Sequence, residues 1–242
     1  NLWHFNWEID ADEIERKFDF DSVTLLNDYE ALVHAIPHFS NNELETITPF
    51  SHGQQDAPFS VFGVGSGLGG SIGVPSKAGL NVVPTEVGHI SFAPKSEQEY
   101  ELLNYTRKTV PHISIESYMS GPGITRIHDY LLHKQGSDKS DLTPADITTR
   151  ALDKSNPTCV KTMEVFLDIL GSIAGDIALI QGAKAGIYIG GGIVPRITSL
   201  INKDTFIKRF TDKGPMQNYV ERIPIHIIIA DNPALIGSAL SK

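Results

Sequence analysis

Residues 62–70 read Phe62-Gly63-Val64-Gly65-Ser66-Gly67-Leu68-Gly69-Gly70, and they continue directly from the apolar segment Phe59–Val64. Glycines at this spacing let the backbone approach a ligand closely and turn its N–H groups inward, and phosphate oxygens are common ligands of such turns. The segment therefore predicts a buried strand followed by a phosphate-binding turn. A glycine-rich hairpin without a ligand is the alternative.

Two familiar glycine loops do not fit this segment. Gly65–Gly70 formally matches the dinucleotide-binding pattern G-x-G-x-x-G, and Glu86 follows at about the expected distance. That loop must open a helix, whereas Ser71–Gly79 contains helix breakers and has the pattern of a strand and a turn. A P-loop is excluded because no G-K-[ST] follows. We expect the loop to join two antiparallel strands.

The rest of the chain alternates between strand and helix patterns, which is typical of an α/β protein. The further predicted strands are Val23–Leu26, Asn81–Pro84, Gly186–Ile189 and Ile223–Ala230. The predicted helices are Asp10–Phe18, Tyr29–Ile36, Ser96–Lys108, Thr143–Leu152, Asn156–Gln181 and Asn232–Leu240. The segment Asn41–Ala57 is predicted to be an irregular connector, and Ser120–Gly123 a turn.

Asn27 and Asp28 lie where a predicted strand ends and a predicted helix begins. Polar side chains at this position bind ligands in many α/β proteins. Both residue types also cap helices well, so a purely structural role is the alternative. As a functional group, Asp28 would be a general base that accepts a proton from a hydroxyl group attacking phosphorus.

Three further polar residues follow predicted extended segments. Glu86 and His89 stand close together in Glu86-Val87-Gly88-His89, and Glu116 precedes the predicted turn Ser120–Gly123. Carboxylate and imidazole groups at loop ends suit a sugar, because each ring hydroxyl can both donate and accept a hydrogen bond. A buried histidine satisfied by the backbone and a solvated glutamate are the alternatives.

The second glycine cluster, Gly190-Gly191-Gly192, follows the predicted strand Gly186–Ile189. Glycines at this place would let a flat base lie against the backbone, and tight packing of strand on helix is the alternative. The histidines show no metal-ligand spacing and Cys159 has no partner ligand, so we expect no structural metal site.

Composition excludes several classes of partner. The 242 residues carry a formal net charge of −9 without a run of lysine or arginine, which disfavours nucleic acid and anionic membranes. No apolar segment approaches the roughly 20 residues of a membrane span. A single cysteine and the lack of a signal peptide favour a cytoplasmic protein.

Taken together, these segments resemble the bacterial glucokinase family, the zinc-free branch of hexose kinases on the actin-like ATPase (ribonuclease H-like) α/β fold. The matches occur in order along nearly the whole chain. They are Leu25–Asp28, Gly63–Gly69, Pro84–Pro94, Ser114–Gly123, Gly190–Arg196 and Asp231–Pro233. No cysteine follows His89, whereas the related repressor branch usually carries a cysteine-rich zinc motif there.

The resemblance implies the ligands and the site residues. The reaction would be ATP-dependent phosphorylation of glucose, with Mg²⁺ carried by the nucleotide and Asp28 as the base for the 6-hydroxyl. The residues implied to bind the sugar are Asn27, Gly67, Glu86, His89 and Glu116. The residues implied to bind the nucleotide are Gly63, Gly65, Ser66, Gly67 and Gly69 around the phosphates and Gly190, Gly191 and Gly192 beside adenosine. A homodimer is possible in such a family.

The resemblance also implies a domain organisation. Residues 1–38 would be the remnant of a small α/β domain, 39–229 a large α/β domain, and 230–242 a C-terminal helix that returns to the small domain. The family begins with a strand and a D-x-G-G-T phosphate loop that this sequence lacks, so several tens of N-terminal residues are expected to be missing. A sugar-binding or regulatory module without catalysis, and an actin-like ATPase acting on another substrate, are the alternative readings. Val87 replaces a glycine that is common in the family, and it is expected to add bulk beside the sugar.

Overall fold

The protein is built on one mixed sheet of six strands, in a computed structural model that describes residues 9–241. The strands are β1 (Leu44–Thr46), β2 (Phe59–Val64), β3 (Leu68–Ser76), β4 (Gly79–Thr85), β5 (Gly186–Gly190) and β6 (Ile225–Ile228). Their order across the sheet is β1-β6-β5-β2-β3-β4. β2, β5 and β6 run parallel to one another, β2-β3-β4 form an antiparallel meander, and β1 pairs antiparallel with β6.

Nine α-helices are found in the part of the chain that the structure describes. They are α1 (Ala11–Phe18), α2 (Asp28–Ala35), α3 (Glu97–Thr106), α4 (Gly121–Lys134), α5 (Pro144–Leu152), α6 (Pro157–Gln181), α7 (Lys203–Thr211), α8 (Gln217–Val220) and α9 (Pro233–Leu240). Short 3₁₀ turns lie at Ile36–His38, Val87–His89, Ile115–Ser117, Val194–Leu200 and Gly214–Met216.

The glycine-rich segment forms the hairpin that the sequence predicts. Every residue of β2 is buried, because the strand pairs with β5 on one side and with β3 on the other. Val64 pairs with Leu68, which leaves Gly65–Gly67 as the turn between them. The loop is followed by a strand and not by a helix. The prediction that it is not a dinucleotide-binding loop is therefore confirmed.

Both faces of the central strands β2 and β6 are covered, since every residue of these two strands is buried. The long helix α6 fills the larger core, and Asn156 caps its start while Gly182, with a φ of 62°, ends it. A smaller core lies beneath α2, where Leu32 and Val33 pack near Phe59 and Ile228. α9 packs closely on α2, and a Cβ on Gly237 would lie 1.7 Å from the carbonyl oxygen of Ala31.

Most predicted elements are confirmed, and three predictions are wrong. Val23–Leu26 is not a strand, because no described residue forms a ladder with it, and Leu25 is 53% exposed. The predicted turn Ser120–Gly123 is the start of α4. The predicted connector Asn41–Ala57 contains β1, whose side chains are all only half-buried because it is the edge strand.

The predicted division into residues 1–38, 39–229 and 230–242 stays a prediction. Residues 1–8 and Lys242, which belong to its first and last segments, lie outside the described residues. Between residues 9 and 241, no helix combines the length and the apolar character needed to cross a membrane.

Candidate functional site

The turn Gly65–Gly67, called the glycine turn below, lies at the carboxyl ends of the parallel strands β2 and β5. Open α/β sheets bind their ligands at this edge. The N–H of Gly65 donates to the carbonyl oxygen of Gly67 at 2.9 Å, which closes the turn. Ser66 at its tip is exposed. The tip of the turn therefore faces solvent.

Glu116 is bound to the glycine turn. It lies in the 3₁₀ turn Ile115–Ser117, and its Oε2 accepts a hydrogen bond from the N–H of Leu68 at 2.9 Å. A Cβ on Gly67 would lie 2.4 Å from the same oxygen. Glycine is therefore needed at position 67 because the carboxylate of Glu116 occupies the space of a side chain.

Glu86 precedes the 3₁₀ turn Val87–His89, which follows β4, and His89 is the last residue of that turn. Their Oε2 and Nε2 atoms are 3.9 Å apart, and both side chains are largely exposed. Gly88 brings them close to the glycine turn, since a Cβ there would lie 2.2 Å from the carbonyl oxygen of Leu68. Two polar side chains are thus presented to solvent beside Glu116.

Val87 does not face the site. It is 6% exposed, and a Cβ on Gly70 would lie 3.1 Å from its Cγ1. The expectation that Val87 adds bulk beside a sugar is therefore wrong. The side chain at this position points into the core beneath the hairpin and packs with the buried residues of the larger cluster.

A short antiparallel contact holds the two carboxylate-bearing segments together. Ser91 and Ser114 form an isolated β-bridge. On either side of it, the N–H of Phe92 donates to Ile113 at 3.0 Å and the N–H of Ile115 donates to Ile90 at 2.9 Å. Glu86 and Glu116 are 30 residues apart in the sequence, and these backbone bonds fix their segments side by side.

Asn27 and Asp28 begin α2 and act there as caps, as the structural alternative anticipated. Oδ1 of Asn27 accepts from the N–H of Tyr29 at 2.8 Å, while Glu30 accepts from the N–H of Asn27 at 2.9 Å. Oδ1 of Asp28 accepts from the same Tyr29 N–H at 3.0 Å. Both side chains are nevertheless exposed, so the cap fixes their position without closing them off.

Tyr29 places the start of α2 against the hairpin, and it is not among the site residues predicted from the sequence. Its hydroxyl donates to the carbonyl oxygen of Gly63 at 3.0 Å, and a Cβ on Gly69 would lie 2.3 Å from its ring. Burial, together with the negative charge of Asp28, raises the pKa of Tyr29 above its usual range. The paired glycines Gly63 and Gly69 were the available signal, because glycines facing each other across two strands leave room for a ring.

The second glycine cluster meets the glycine turn from β5. Gly191 has a φ of 88°, and a Cβ on it would lie 2.4 Å from the carbonyl oxygen of Val64. The N–H of Ile193 donates to the same oxygen at 3.1 Å. Gly192 is exposed with open space where a side chain would be. The two clusters thus lie side by side, although the second also has the tight packing of its structural alternative.

The start of α4 also contacts the glycine turn, although a turn was predicted at this place instead of a helix. The N–H of Gly121 donates to the carbonyl oxygen of Gly65 at 2.9 Å. Ser120 caps this helix by accepting from the N–H of Gly123 at 3.1 Å, and Pro122 stands in the first turn. Serine at the cap followed by proline was the sequence signal.

The described residues, 9–241, contain no group of three or more His, Cys, Asp and Glu side chains placed to hold a metal ion. The site is accordingly an open surface with carboxylates on one side and backbone amides on the other. Such an arrangement can orient a polyhydroxylated ligand and an anionic ligand next to each other.

Comparison with known proteins identifies relatives over the whole chain. The family model Glucokinase matches residues 2–242. The glucokinase of Chromobacterium violaceum is 37% identical over 234 residues, which cover 97% of this chain and 67% of the relative. The chain thus spans about two thirds of that relative's length.

Solved structures agree with this match. The structure of glucokinase from an Antarctic psychrotroph superposes with a TM-score of 0.87 at 34% identity, covering 95% of this chain and 71% of the other. A ROK family glucokinase from Streptomyces griseus, solved with glucose and AMPPNP, gives 0.61 at 18% identity, covering 95% and 70%, and so shows the fold alone. The fold is that of the actin-like ATPases, as the resemblance to the glucokinase family implies.

Proposed function

The chain belongs to the glucokinase family, and from this membership we propose that it transfers the γ-phosphoryl group of ATP to the 6-hydroxyl of glucose at the glycine turn. The observation that carries the proposal is the bond between Glu116 and the N–H of Leu68. Through it, a residue predicted to bind sugar touches the turn predicted to bind phosphate. Phosphoryl transfer requires the acceptor hydroxyl and the donor phosphate to lie next to each other.

We propose that the sugar lies between the start of α2 and the two 3₁₀ turns. The side chains of Asn27, Glu86, His89 and Glu116 would hold its ring hydroxyls, and the backbone of Gly67 would line the floor. Glu86 and His89 support this role because both are exposed and 3.9 Å apart, a distance that one bridging hydroxyl can span.

Asp28 is proposed as the general base. Its Oδ1 is held by the N–H of Tyr29, and within residues 9–241 its Oδ2 accepts no hydrogen bond. That free oxygen would accept the proton of the 6-hydroxyl as the hydroxyl oxygen attacks phosphorus. The cap and the contact of Tyr29 with Gly63 hold the carboxylate in place without burying it, so it stays open to a ligand.

The nucleotide is proposed to lie across the two glycine clusters. The backbone at Gly63, Gly65, Ser66, Gly67 and Gly69 would lie around the phosphates, and Gly190, Gly191 and Gly192 would lie beside adenosine. The open space at Gly192 fits a flat base. Mg²⁺, when bound with ATP, neutralises phosphate charge. With no cluster of three ligands in the described residues, the chain fits an ion held mainly by the phosphates.

Three accompanying proposals follow from the family. We propose a cytoplasmic location, which the use of ATP and the single cysteine support. A homodimer is proposed, and sedimentation would test it. We also propose the division into residues 1–38, 39–229 and 230–242, which the packing of α9 on α2 supports because it joins the last segment to the first.

A coupled assay of glucose 6-phosphate formation tests the function. The full-length protein should form product only with both ATP and glucose. Glu116→Gln should raise the KM for glucose at least tenfold, because a carboxylate–hydroxyl hydrogen bond is replaced by a weaker amide–hydroxyl bond. Glucose binding detected by calorimetry without any turnover would contradict the proposal and indicate a sugar-binding module. Equal turnover of glucose and of other hexoses would contradict the assignment of glucose as the substrate.

A further inference from the structure

A cavity lies behind the 3₁₀ turn that carries Glu116. It has a volume of about 320 Å³ and is formed where the end of α3 meets α4. We call it the rear pocket, and its lining includes Tyr105, Lys108, Pro122, Arg126, Asp129 and Lys139. This volume lies within the range of sites that bind small molecules. None of these residues belongs to the proposed sugar or nucleotide site.

The rear pocket is positively charged in an acidic protein. Its lining has three cationic side chains, those of Lys108, Arg126 and Lys139, against the single carboxylate of Asp129, whereas the chain as a whole carries −9. Lys139 pairs with Asp129 at 3.3 Å, and neither Lys108 nor Arg126 forms an ion pair with any described residue. Cations gathered in a concave surface attract small anions.

Asp129 adds a hydrogen-bond acceptor that the protein does not use. Its Oδ1 is buried and has no hydrogen-bond partner among the described residues, while its Oδ2 faces Lys139. A buried carboxylate oxygen without a donor is costly, so a donor from a ligand would be favourable. Cations beside such an acceptor suit a ligand with both an anionic group and a hydroxyl.

Arg126 connects this pocket to the proposed active site. Its Nη1 donates a hydrogen bond to the carbonyl oxygen of Ser117, the residue that follows Glu116. Pro122, which also lines the pocket, follows Gly121, whose N–H is bonded to the glycine turn. A phosphate that binds the guanidinium of Arg126 from the pocket side would draw the side chain away from the Ser117 carbonyl.

We propose that the rear pocket binds the phosphate monoester of a small polyol and that this ligand weakens glucose binding. The phosphate is held by Lys108, Arg126 and Lys139, and a hydroxyl donates to Asp129. Recruitment of Arg126 releases Ser117, which loosens the turn that holds Glu116 on Leu68. The site itself is independent of the catalytic assignment, whereas its effect on glucose rests on the proposed function.

Binding is tested with glycerol 3-phosphate and, separately, inorganic phosphate. Each is titrated into the full-length, glucose-saturated protein and followed by heteronuclear NMR and calorimetry. We expect shifts at residues 105–139 and tighter binding of glycerol 3-phosphate. The double variant Lys108→Gln/Lys139→Gln should bind about tenfold more weakly, at roughly threefold for each exposed charge. Lys77→Gln, which removes an exposed lysine elsewhere, should bind like the parent.

The proposed site would be overturned by no binding, by unchanged binding in the double variant, or by NMR shifts confined to residues 63–70. Equal affinity for glycerol 3-phosphate and inorganic phosphate would overturn the polyol assignment. In the coupled assay, glycerol 3-phosphate should raise the KM for glucose about threefold in the parent and not in the double variant. An unchanged KM despite binding would overturn the effect on glucose. If the parent protein shows no turnover even without glycerol 3-phosphate, the proposed function is refuted, whereas the binding result still holds.

Discussion

Tyr29 takes no part in the proposed reaction, but it holds the proposed base, Asp28, in position. Its ring occupies the space above Gly63 and Gly69, and its hydroxyl is bonded to Gly63. Its N–H is the common donor to Asn27 and Asp28. Tyr29 therefore links the proposed base to the glycine turn, through its N–H on one side and its ring and hydroxyl on the other.

Replacing Tyr29 separates these contributions. Tyr29→Phe should lower the free energy of unfolding by about 1 kcal/mol, the typical value of one hydrogen bond. Tyr29→Ala should cost about 3 kcal/mol, because a cavity opens above two glycines. Urea unfolding measures both, with Tyr100→Phe, an exposed tyrosine, as the control. Equal losses for the phenylalanine and alanine variants would contradict the packing role of the ring.

Gly67 gives the sharpest test of the sugar side of the site. Gly67→Ala would place a Cβ 2.4 Å from Oε2 of Glu116, so the carboxylate must move away from Leu68. We expect the KM for glucose to rise about tenfold, the effect of one misplaced hydrogen bond to a charged group, while the protein stays folded. Steady-state kinetics with circular dichroism would measure this.

Gly121→Ala is the matched control for that variant. Its Cβ would have no heavy atom closer than 3.7 Å, and its N–H would still donate to Gly65. The KM for glucose should be unchanged. A similar rise in both variants would show that any added methyl group near the turn disturbs the site, and the specific contact between Gly67 and Glu116 would then be refuted.

Among the helices and strands, those whose start depends on neighbouring residues were predictable from the sequence. Caps at Ser96, Thr143 and Asn156 marked three helix starts correctly, because each side chain satisfies an N–H of its own first turn. β1 could not be predicted in this way, since its three residues form a strand only by pairing with β6, which follows some 180 residues later. For the site, the residue types were predictable, whereas the contact of Glu116 with Leu68 depends on the folded hairpin.

The pairing of β1, β5 and β6 also creates a pH-sensitive element. His226 on β6 is 3% exposed, stacks on Tyr188 of β5 at 4.9 Å, and contacts Oγ1 of Thr46 through Nδ1 at 3.1 Å. Burial, with a smaller contribution from the nearby His52, lowers the pKa of His226 from 6.5 to about 4. The fold therefore holds this imidazole in its neutral form.

The sign of the effect on stability follows from the lowered pKa. Above pH 6.5 both folded and unfolded states hold a neutral imidazole, whereas between pH 6.5 and 4 only the unfolded state takes up the proton. Stability should fall by about 3 kcal/mol as the pH drops through this window. His226→Phe should remove that part of the slope in urea unfolding, and His133→Gln, an exposed histidine on α4, should keep it. An unchanged slope in His226→Phe would contradict the account.

For the whole molecule, the edge of the sheet gathers segments from the entire chain. The start of α2, the β2–β3 hairpin, the two 3₁₀ turns, α4 and the loop after β5 all contact the glycine turn or its flanking residues. A ligand bound there contacts elements that are far apart in sequence. Binding should therefore stabilise the fold as a unit rather than one segment of it.

Glucose should raise the stability of the protein by mass action. At a hundredfold excess over its Kd, it should add about 2.7 kcal/mol, which corresponds to a rise in Tm of roughly 5–10 °C for a chain of this size. Scanning calorimetry measures the shift, and sorbitol, which lacks the ring, is the control. The same shift with sorbitol would indicate a general solvent effect and contradict a specific sugar site.

The measurement that tests the central claim most directly is the steady-state kinetics of Asp28→Asn in the full-length protein, paired with its glucose Kd. Asparagine keeps the shape and the contact with the N–H of Tyr29 but cannot accept the proton. We predict that kcat falls about a thousandfold, within the range attributed to a general base, while the Kd for glucose stays the same. An unchanged kcat would contradict the assignment of Asp28 as the base, and with it the mechanism proposed for this site.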